Sequence, residues 1–451
     1  MKQLFGTDGI RGVAGEYPLD RATVLRFGAS LALVLQEEHG RPCRVVLGRD
    51  TRESGPLLRD LVGQGLVARG AAVVDAGTIT TPGLAHVAEG GGFDAAVMIS
   101  ASHNPFHDNG LKVFGRGGFK LSDELEVRVE QRILGDDPGP SAEPGLVLTQ
   151  GPELVEAYIR HLEGVVSPRG RLAGWRVVLD CANGSACSIA PRVFRHHGAA
   201  VVVIGATPDG RNINLGCGSL HLDNLTRAVL EHGCDLGIAF DGDADRCLAV
   251  DRRGRHLDGD HILYITGRRL HRSGRLRGNA LVATIMSNLW LEQRLGLEGI
   301  MLYRAPVGDK YVLERMVQDD LALGGEQSGH VIFRAHATTG DGILTGLLLL
   351  EALAEEGQPL EELLASIEPC PQVQLSVRVR QKPDLRAHPR VGPAIAAIEL
   401  ALADSGRVVL RYSGTEPVAR IMVEGPDAAI VRAHAEHLAR VVAEALGAAT
   451  P

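Results

Sequence analysis

The sequence predicts three related βαβ-type α/β domains with mixed sheets, followed by a smaller C-terminal α+β domain, all arranged around a central cleft. Three observations predict it. Strand–helix–strand patterns with uninterrupted apolar strands recur three times. Such strands are those of a parallel sheet covered on both faces. The copies start near residues 44, 176 and 280, too far apart for a solenoid and suited to repeated domains. After residues 369–371 (PCP) the pattern changes to alternating strands and long helices.

In order, residues 44–49 (RVVLGR) read as a buried strand, 56–69 (PLLRDLVGQGLVAR) as a helix and 70–75 (GAAVVD) as a second strand. Residues 176–180, 190–197 and 198–204 repeat this order. Residues 280–284, 288–295 and 299–303 repeat it more loosely. A Pro- and Gly-rich stretch at 135–145 (GDDPGPSAEPG) reads as a linker, and a second break falls at 251–259. In the last segment, 373–378 alternates, 388–403 is helical, 406–411 and 418–424 flank SGTEP, and an amphipathic helix follows. The domains are therefore expected at 1–145, 146–250, 251–369 and 370–451.

Composition narrows the function. Among 451 residues, 45% are apolar but only 4% aromatic, so the cores are expected to be Val, Leu, Ile and Ala. A net charge of −8 argues against a nucleic-acid partner, which calls for a basic face. No apolar run reaches membrane-spanning length, and residues 1–13 lack the apolar core of a signal peptide. Seven cysteines without a CxxC pair read as reduced thiols, which points to the cytoplasm. Lysine occurs only at 2, 112, 120, 310 and 382, so each one merits attention.

Four loops carry chemistry. Residues 97–114 (VMISASHNPFHDNGLKVF) place a polar loop between two buried strands, with Ser102 and His103 expected at its tip. Sequence neighbours rarely pair as nucleophile and base, and the G-x-S-x-G elbow is absent. A polar turn with satisfied hydroxyls competes with any functional role for it. Residues 236–250 hold Asp241, Asp243 and Asp245 in a short loop between apolar strands. Three carboxylates that close need a cation, and hard oxygen ligands suit Mg²⁺. An EF-hand is excluded by Arg246 at its sixth position and Arg252 at its twelfth.

Residues 324–330 (GGEQSGH) offer Glu326 and Ser328 for sugar hydroxyls or an amine, and His330 for a proton. A plain Gly-rich turn explains that stretch equally well. Residues 411–417 (RYSGTEP) offer backbone N–H groups and hydroxyls at Ser413, Gly414 and Thr415. Arg411 and Arg420 add bidentate donors, which makes a phosphate cradle where the bland alternative is an ordinary hairpin loop.

FGTDGIRG at 5–12, ISASHNP at 99–105, DGDADR at 241–246, GGEQSGH at 324–330 and RYSGTEP at 411–417 together resemble the α-D-phosphohexomutase superfamily. The likeness covers essentially the whole chain, and the first and fourth motifs lean toward the glucosamine members. It implies interconversion of glucosamine 6-phosphate and glucosamine 1-phosphate, on the route to UDP-N-acetylglucosamine and cell-wall precursors. Ser102 is then a phosphoserine, and its phosphate completes a site for one Mg²⁺ per chain with Asp241, Asp243 and Asp245. A hexose 1,6-bisphosphate is both activator and intermediate. The resemblance also implies that Arg11, His103, Lys112 and His330 surround the reacting oxygen, and that Arg246 supports the reacting phosphate or the metal loop. Arg11 and Lys112 suit charge stabilisation, and Lys112 or His330 proton transfer. Glu326, Ser328, Gly308 and Asp309 face the sugar, while Arg411, Ser413, Gly414, Thr415 and Arg420 hold the phosphate that is not reacting. The partner is a small phosphosugar, with no nucleic acid or membrane, and a homodimer is a family expectation. Tyr412 departs from the pattern, because this loop often has Pro there.

Three rivals remain. A phosphomannomutase/phosphoglucomutase would use the same residues on another sugar. A non-catalytic phosphosugar-binding protein would keep the cradle without the chemistry, but it would be free to lose Ser102, the aspartates and Lys112. A Mg²⁺-dependent phosphatase would not need a serine carrier or four loops.

Overall fold

The runs read as buried strands do form strands, and they assemble into four sheets. The protein is described by a computed structural model covering residues 3–6, 8–135, 139–140, 148–167, 170–357, 359–365, 367–413 and 417–447. In the first sheet β1 (Ile10–Val13), β2 (Arg44–Arg49), β3 (Ala72–Thr78), β4 (Ala95–Ile99), β5 (Asp108–Gly115) and β6 (Thr149–Gln150) lie in the order β1-β5-β4-β2-β3-β6. β2 pairs in parallel with β3 and β4, whereas β5 is antiparallel to β4 and β1, so the sheet is mixed. Both of its faces are covered. Val45, Leu47, Val97 and Ile99 pack with Phe27 and Leu31 on one side, and Val46, Ala96 and Met98 pack with Leu84 and Ala85 on the other. Double burial is why these strands read as continuous apolar runs.

The second sheet holds β7 (Arg176–Asp180), β8 (Ala200–Ile204), β9 (Leu236–Phe240), β10 (Cys247–Asp251) and β11 (His256–Leu257), in the order β11-β10-β9-β7-β8. The third holds β12 (Ala280–Thr284), β13 (Met301–Ala305), β14 (Leu323–Gly325) and β15 (Val331–Phe333), in the order β13-β12-β14-β15. The last is antiparallel: β16 (Gln372–Arg378), β17 (Arg407–Tyr412) and β18 (Val418–Glu424), in the order β16-β18-β17, packed with helices Val391–Leu402 and Ala428–Leu446.

Two of these strands lie beyond the expected domain limits. β6 joins the first sheet although it follows residue 145, and β11 joins the second although it follows residue 250. Each is a two-residue edge strand, too short to leave a periodic signal in sequence.

By compactness the chain divides into two units. One comprises Met1–Thr284 and Tyr303–Glu361; the other comprises Ile285–Leu302 and Glu362–Pro451. In the second unit the Leu289 N–H donates to buried Glu424, Asn288 exchanges two hydrogen bonds with Cys370, and Arg407 pairs with Glu424. All seven cysteines are unpaired. No helix among the described residues is long and apolar enough to cross a membrane.

Within the first unit, three histidines meet where helix Thr81–Gly90, helix Pro152–Glu163 and the turn after β15 converge. His86 and His161 stack at 4.3 Å, and His336, Glu89, Tyr158 and Asp341 line the same small pocket. Burial first, and the neighbouring His161 second, push the His86 imidazole down to about 4. Burial also lowers His161 and His336. Unfolded imidazoles take up protons near pH 6.5, so between about pH 6.5 and about pH 4 the unfolded chain binds more protons than the native one. The stabilising contribution is therefore complete above about pH 6.5 and is lost as the pH falls toward 4. The urea midpoint is expected to drop from pH 7.5 to pH 5, and to drop less in His86→Gln. Equal drops in both proteins would remove the cluster as the cause.

Candidate active site

β4 is buried at every residue, and the chain then turns through residues 100–107 before β5. Ser102 stands in that turn with φ 55°, a left-handed conformation that non-glycine residues adopt at a cost. Its hydroxyl donates to Asp241 Oδ2 at 2.5 Å and lies 3.3 Å from His103 Nδ1. Two expectations are corrected here. Ser102 is 1% exposed instead of displayed at a tip, because the turn after β9 closes over it. At Gly242 in that turn, a Cβ would sit 2.7 Å from the Ser102 carbonyl oxygen. The sequence neighbours Ser102 and His103 also come within contact distance, which the positive φ allows.

Asp241, Asp243 and Asp245 lie in the turn between β9 and β10, with carboxylate oxygens within 4.8 Å of one another. Asp241 Oδ1 accepts from the Arg246 N–H at 3.1 Å. Asp243 Oδ2 accepts from Thr81 Oγ1 at 2.5 Å and from Lys112 Nζ at 2.9 Å. Asp245 Oδ2 lies 3.5 Å from the same Nζ. Asp243 Oδ1 and Asp245 Oδ1 are buried and have no hydrogen-bond partner. Buried carboxylate oxygens without a hydrogen-bond partner are costly, and a buried cluster of three acids that holds two of them fits a hard divalent cation.

The electrostatics agree. Burial, then the charges of Asp245 and Asp243, push Asp241 well above the usual carboxylate range. Burial opposes charge on Asp245 too, but Lys112 and His330 overcome it and hold that group low. Lys112 is 2% exposed in mid-β5, bonded to both Asp243 and Asp8 at 2.9 Å. These carboxylates outweigh its burial and raise its proton affinity, so it carries its charge. That favours charge stabilisation over proton abstraction. Burial and the cations of Arg246 and Arg11 push His103 down to about 4, which leaves a neutral imidazole beside the Ser102 hydroxyl.

Arg11 projects from β1 and pairs with Asp8. Lys120 bridges Asp8 and Asp309 at 2.6 Å each. His330 lies between acids, with Nδ1 3.8 Å from Asp245 Oδ2 and Nε2 3.8 Å from Asp309 Oδ2; burial opposes its charge, but Asp245 and then Asp309 overcome it and raise its pKa to about 9. Glu326 Oε1 accepts from the Gly308 N–H at 3.1 Å, which ties the GGEQSGH turn to the Gly308–Asp309 turn. Ser328 Oγ is buried and unpartnered. One contiguous network of the first unit therefore joins Ser102, Arg11, His103, Lys112, the three aspartates, Arg246, His330, Asp309, Gly308 and Glu326.

The second unit carries the remaining residues. Arg411 and Arg420 are directly opposite on β17 and β18. Burial, then the Arg420 charge, lowers the affinity of Arg411 for its proton. Like charges opposite one another are unfavourable until an anion joins them. The Ser413 N–H donates to Val418 O at 2.8 Å, and Lys382 Nζ donates to Ser413 O at 2.7 Å. Tyr412 donates its hydroxyl to Pro383 O at 2.8 Å, which anchors the loop where a Pro was expected. Gly414 and Thr415 lie outside the described residues.

Sequence reasoning missed Asp8, Thr81, Lys120 and Lys382 as site residues. Lysine scarcity marked two of them but gave them no role. Asp8 stood inside a quoted motif, and nothing local marks Thr81.

Comparison with known proteins follows the same outline. The chain matches the phosphoglucomutase/phosphomannomutase descriptions for alpha/beta/alpha domain I over residues 2–138, domain II over 156–254, domain III over 258–370 and the C-terminal domain over 375–441. A phosphoglucosamine mutase of Solibacter usitatus is 50% identical over 446 residues, 99% of each chain. A phosphoglucomutase/phosphomannomutase family protein of Burkholderia thailandensis has a similar fold, with TM-score 0.78 and 24% identity over 99% of this chain and 98% of that one. So does an Aspergillus fumigatus N-acetylphosphoglucosamine mutase solved with GlcNAc-6P and magnesium, with TM-score 0.70 and 19% identity over 98% of this chain and 96% of that one.

Proposed function

From the premise that the chain belongs to the phosphoglucomutase/phosphomannomutase family, we propose that it interconverts glucosamine 6-phosphate and glucosamine 1-phosphate through a phosphoserine at Ser102. One observation carries the mechanism: the Ser102 hydroxyl points at Asp241 inside a ring of buried aspartates with two bare oxygens. The amino-sugar preference rests on the relatives at 42–50% identity over nearly the whole chain, which are phosphoglucosamine mutases.

The cycle has two transfers. A hydroxyl oxygen of the sugar monophosphate attacks the phosphorus on Ser102. The P–Oγ bond breaks, the hydroxyl proton passes to a nearby base, and the sugar leaves the step as its 1,6-bisphosphate. After the bisphosphate turns over, Ser102 Oγ attacks the other phosphate and the starting phosphoserine is restored. A single transfer between the two positions of one sugar would demand an impossible reach. Asp241, Asp243 and Asp245, with an oxygen on Ser102, would hold one Mg²⁺. When bound, the ion supplies neutralisation of charge on the transferring group. Lys112, pinned among the acids, and Arg11 add fixed positive charge where negative charge develops. Neutral His103 is placed to move the Ser102 proton. Glu326, Ser328, Gly308 and Asp309 take the sugar hydroxyls and amine. Arg411, Arg420, Ser413 and the loop through Gly414 and Thr415 take the phosphate that is not transferred. The place of action is the cytoplasm, with the product passed to UDP-N-acetylglucosamine and cell-wall synthesis.

A substrate panel tests this reading. With glucose 1,6-bisphosphate as activator and Mg²⁺ present, kcat/KM for glucosamine 6-phosphate is expected to exceed that for glucose 6-phosphate and mannose 6-phosphate by at least about tenfold. A preference for mannose or glucose would keep the mechanism and overturn the sugar. No turnover on any of the three would leave a phosphosugar-binding protein.

A further inference from the structure

We propose that Arg52 is a positioning residue for phosphoryl transfer: with Asp50 and Ser100 it grips Ser102 by both of its peptide groups and aims the hydroxyl at the aspartates. The inference rests on the reading of Ser102 as the phosphoryl carrier.

A serine at φ 55° needs something to hold it there. Strained conformations of this kind persist only where the surroundings over-determine them. Glycine would adopt the turn freely, but glycine has no hydroxyl to carry a phosphoryl group. The restraint comes from the turn that follows β2. Arg52 is 1% exposed, and every N–H of its guanidinium has an acceptor. Nε donates to Asp50 Oδ2 at 2.8 Å. Nη2 donates to the carbonyls of Ser102 and Asn104 at 2.9 Å each. Nη1 donates to the carbonyls of Pro105 and Asp108. Four carbonyls of the 102–108 loop thus converge on one planar cation.

The other side of Ser102 is held through the same ion pair. Asp50, fully buried, accepts from Ser100 Oγ at 2.7 Å. Ser100 Oγ in turn accepts from the Ser102 N–H at 2.9 Å. The carbonyl of Ser102 is therefore bound to Arg52 directly, and its N–H is bound to Asp50 through one hydroxyl. Asn214, from the segment between β8 and β9, adds a second donor to the Ser102 carbonyl at 2.9 Å. With the main chain fixed on both sides, the remaining freedom of the hydroxyl is its side-chain torsion, and the 2.5 Å bond to Asp241 takes that up. Lysine cannot replace Arg52 here, because its ammonium has three donors and no planar fork to meet four carbonyls and a carboxylate.

The step that depends on this is in-line attack, which tolerates little displacement. A misplacement of about 1 Å costs on the order of 10²-fold in rate. Arg52→Lys and Ser100→Ala test the idea, the first by loosening the carbonyl side and the second by removing the link on the N–H side. The readouts are kcat and KM, the thermal transition, and the rate at which Ser102 takes a phosphoryl group from glucose 1,6-bisphosphate, followed by intact mass. Both variants are expected to lose about 10²-fold in kcat and in the transfer rate, while KM stays within about threefold. A lowered thermal transition with an undiminished transfer rate would make the pair merely structural and overturn the inference. So would a raised KM at unchanged kcat. Should Arg52→Lys not fold, Ser100→Ala, which removes a single hydroxyl, decides by the same criteria. A wild-type chain that never acquires phosphate on Ser102 would overturn the carrier reading and this inference together; slow transfer is therefore judged only against a wild type that is phosphorylated.

Discussion

Ser102→Ala is expected to abolish mutase turnover, by about 10⁴-fold or more, the scale on which loss of a covalent nucleophile acts. The fold should survive. The change deletes one hydroxyl whose recorded partners are Asp241 and His103. Asp241 keeps the Arg246 N–H on its other oxygen. The backbone anchors of residue 102 are main-chain groups, so alanine inherits them. Alanine at φ 55° is strained much as serine is, which argues for a small change in stability. The measurement is turnover with bisphosphate supplied, beside intact mass to follow the phosphorylated species. Near-normal turnover in this variant would sink the carrier role, and with it the two-step cycle.

Asp243→Asn is the second large effect. Asp243 Oδ2 is already taken by Thr81 and Lys112, so its buried and unpartnered Oδ1 is the oxygen left for a metal. An asparagine of the same shape must either turn its NH₂ toward Thr81 and Lys112, which donate there, or present it to the cation. The first choice sets donor against donor and leaves the cation a neutral oxygen in place of a charged one; the second removes the ligand. The Mg²⁺ concentration for half-maximal activity is expected to rise by at least about tenfold, and kcat at saturating Mg²⁺ to fall by about 10²–10³-fold. Chelation of the wild-type protein should abolish activity, and Mg²⁺ should restore it. An unchanged Mg²⁺ dependence in Asp243→Asn would remove this residue from the ligand set.

What the sequence reveals and what it conceals follow from how far apart the interacting groups lie. The metal turn is legible because its three carboxylates fall within five residues, and local repulsion has to be answered locally. The double-covered strands are legible because each is apolar throughout. Thr81 meets Asp243 across 162 residues, and Lys120 meets Asp8 across 112, so no window of sequence contains either pair. Lys112 illustrates the middle case. Its place in an otherwise apolar run marked it as unusual, but only the packing of β5 against the aspartate turn shows why a cation is tolerated there. Arg52 left no mark at all. In sequence it is one arginine among many, and four of its five acceptors are assembled by a loop that lies some 50 residues further along the chain.

The second compact unit is assembled from two separated stretches of chain, and that bears on how such proteins can be taken apart or recombined. Glu424 lies fully buried with its carboxylate shared between Arg407 and the first N–H of helix Leu289–Leu297. A fragment beginning at residue 370 would leave that acid with one of its partners missing and the Cys370 backbone without Asn288. Anyone exchanging the C-terminal piece between relatives, or expressing it alone, should treat residues 285–302 as part of the cargo. The heritable module is the discontinuous one, and recombination points placed at 370 alone would cut through it.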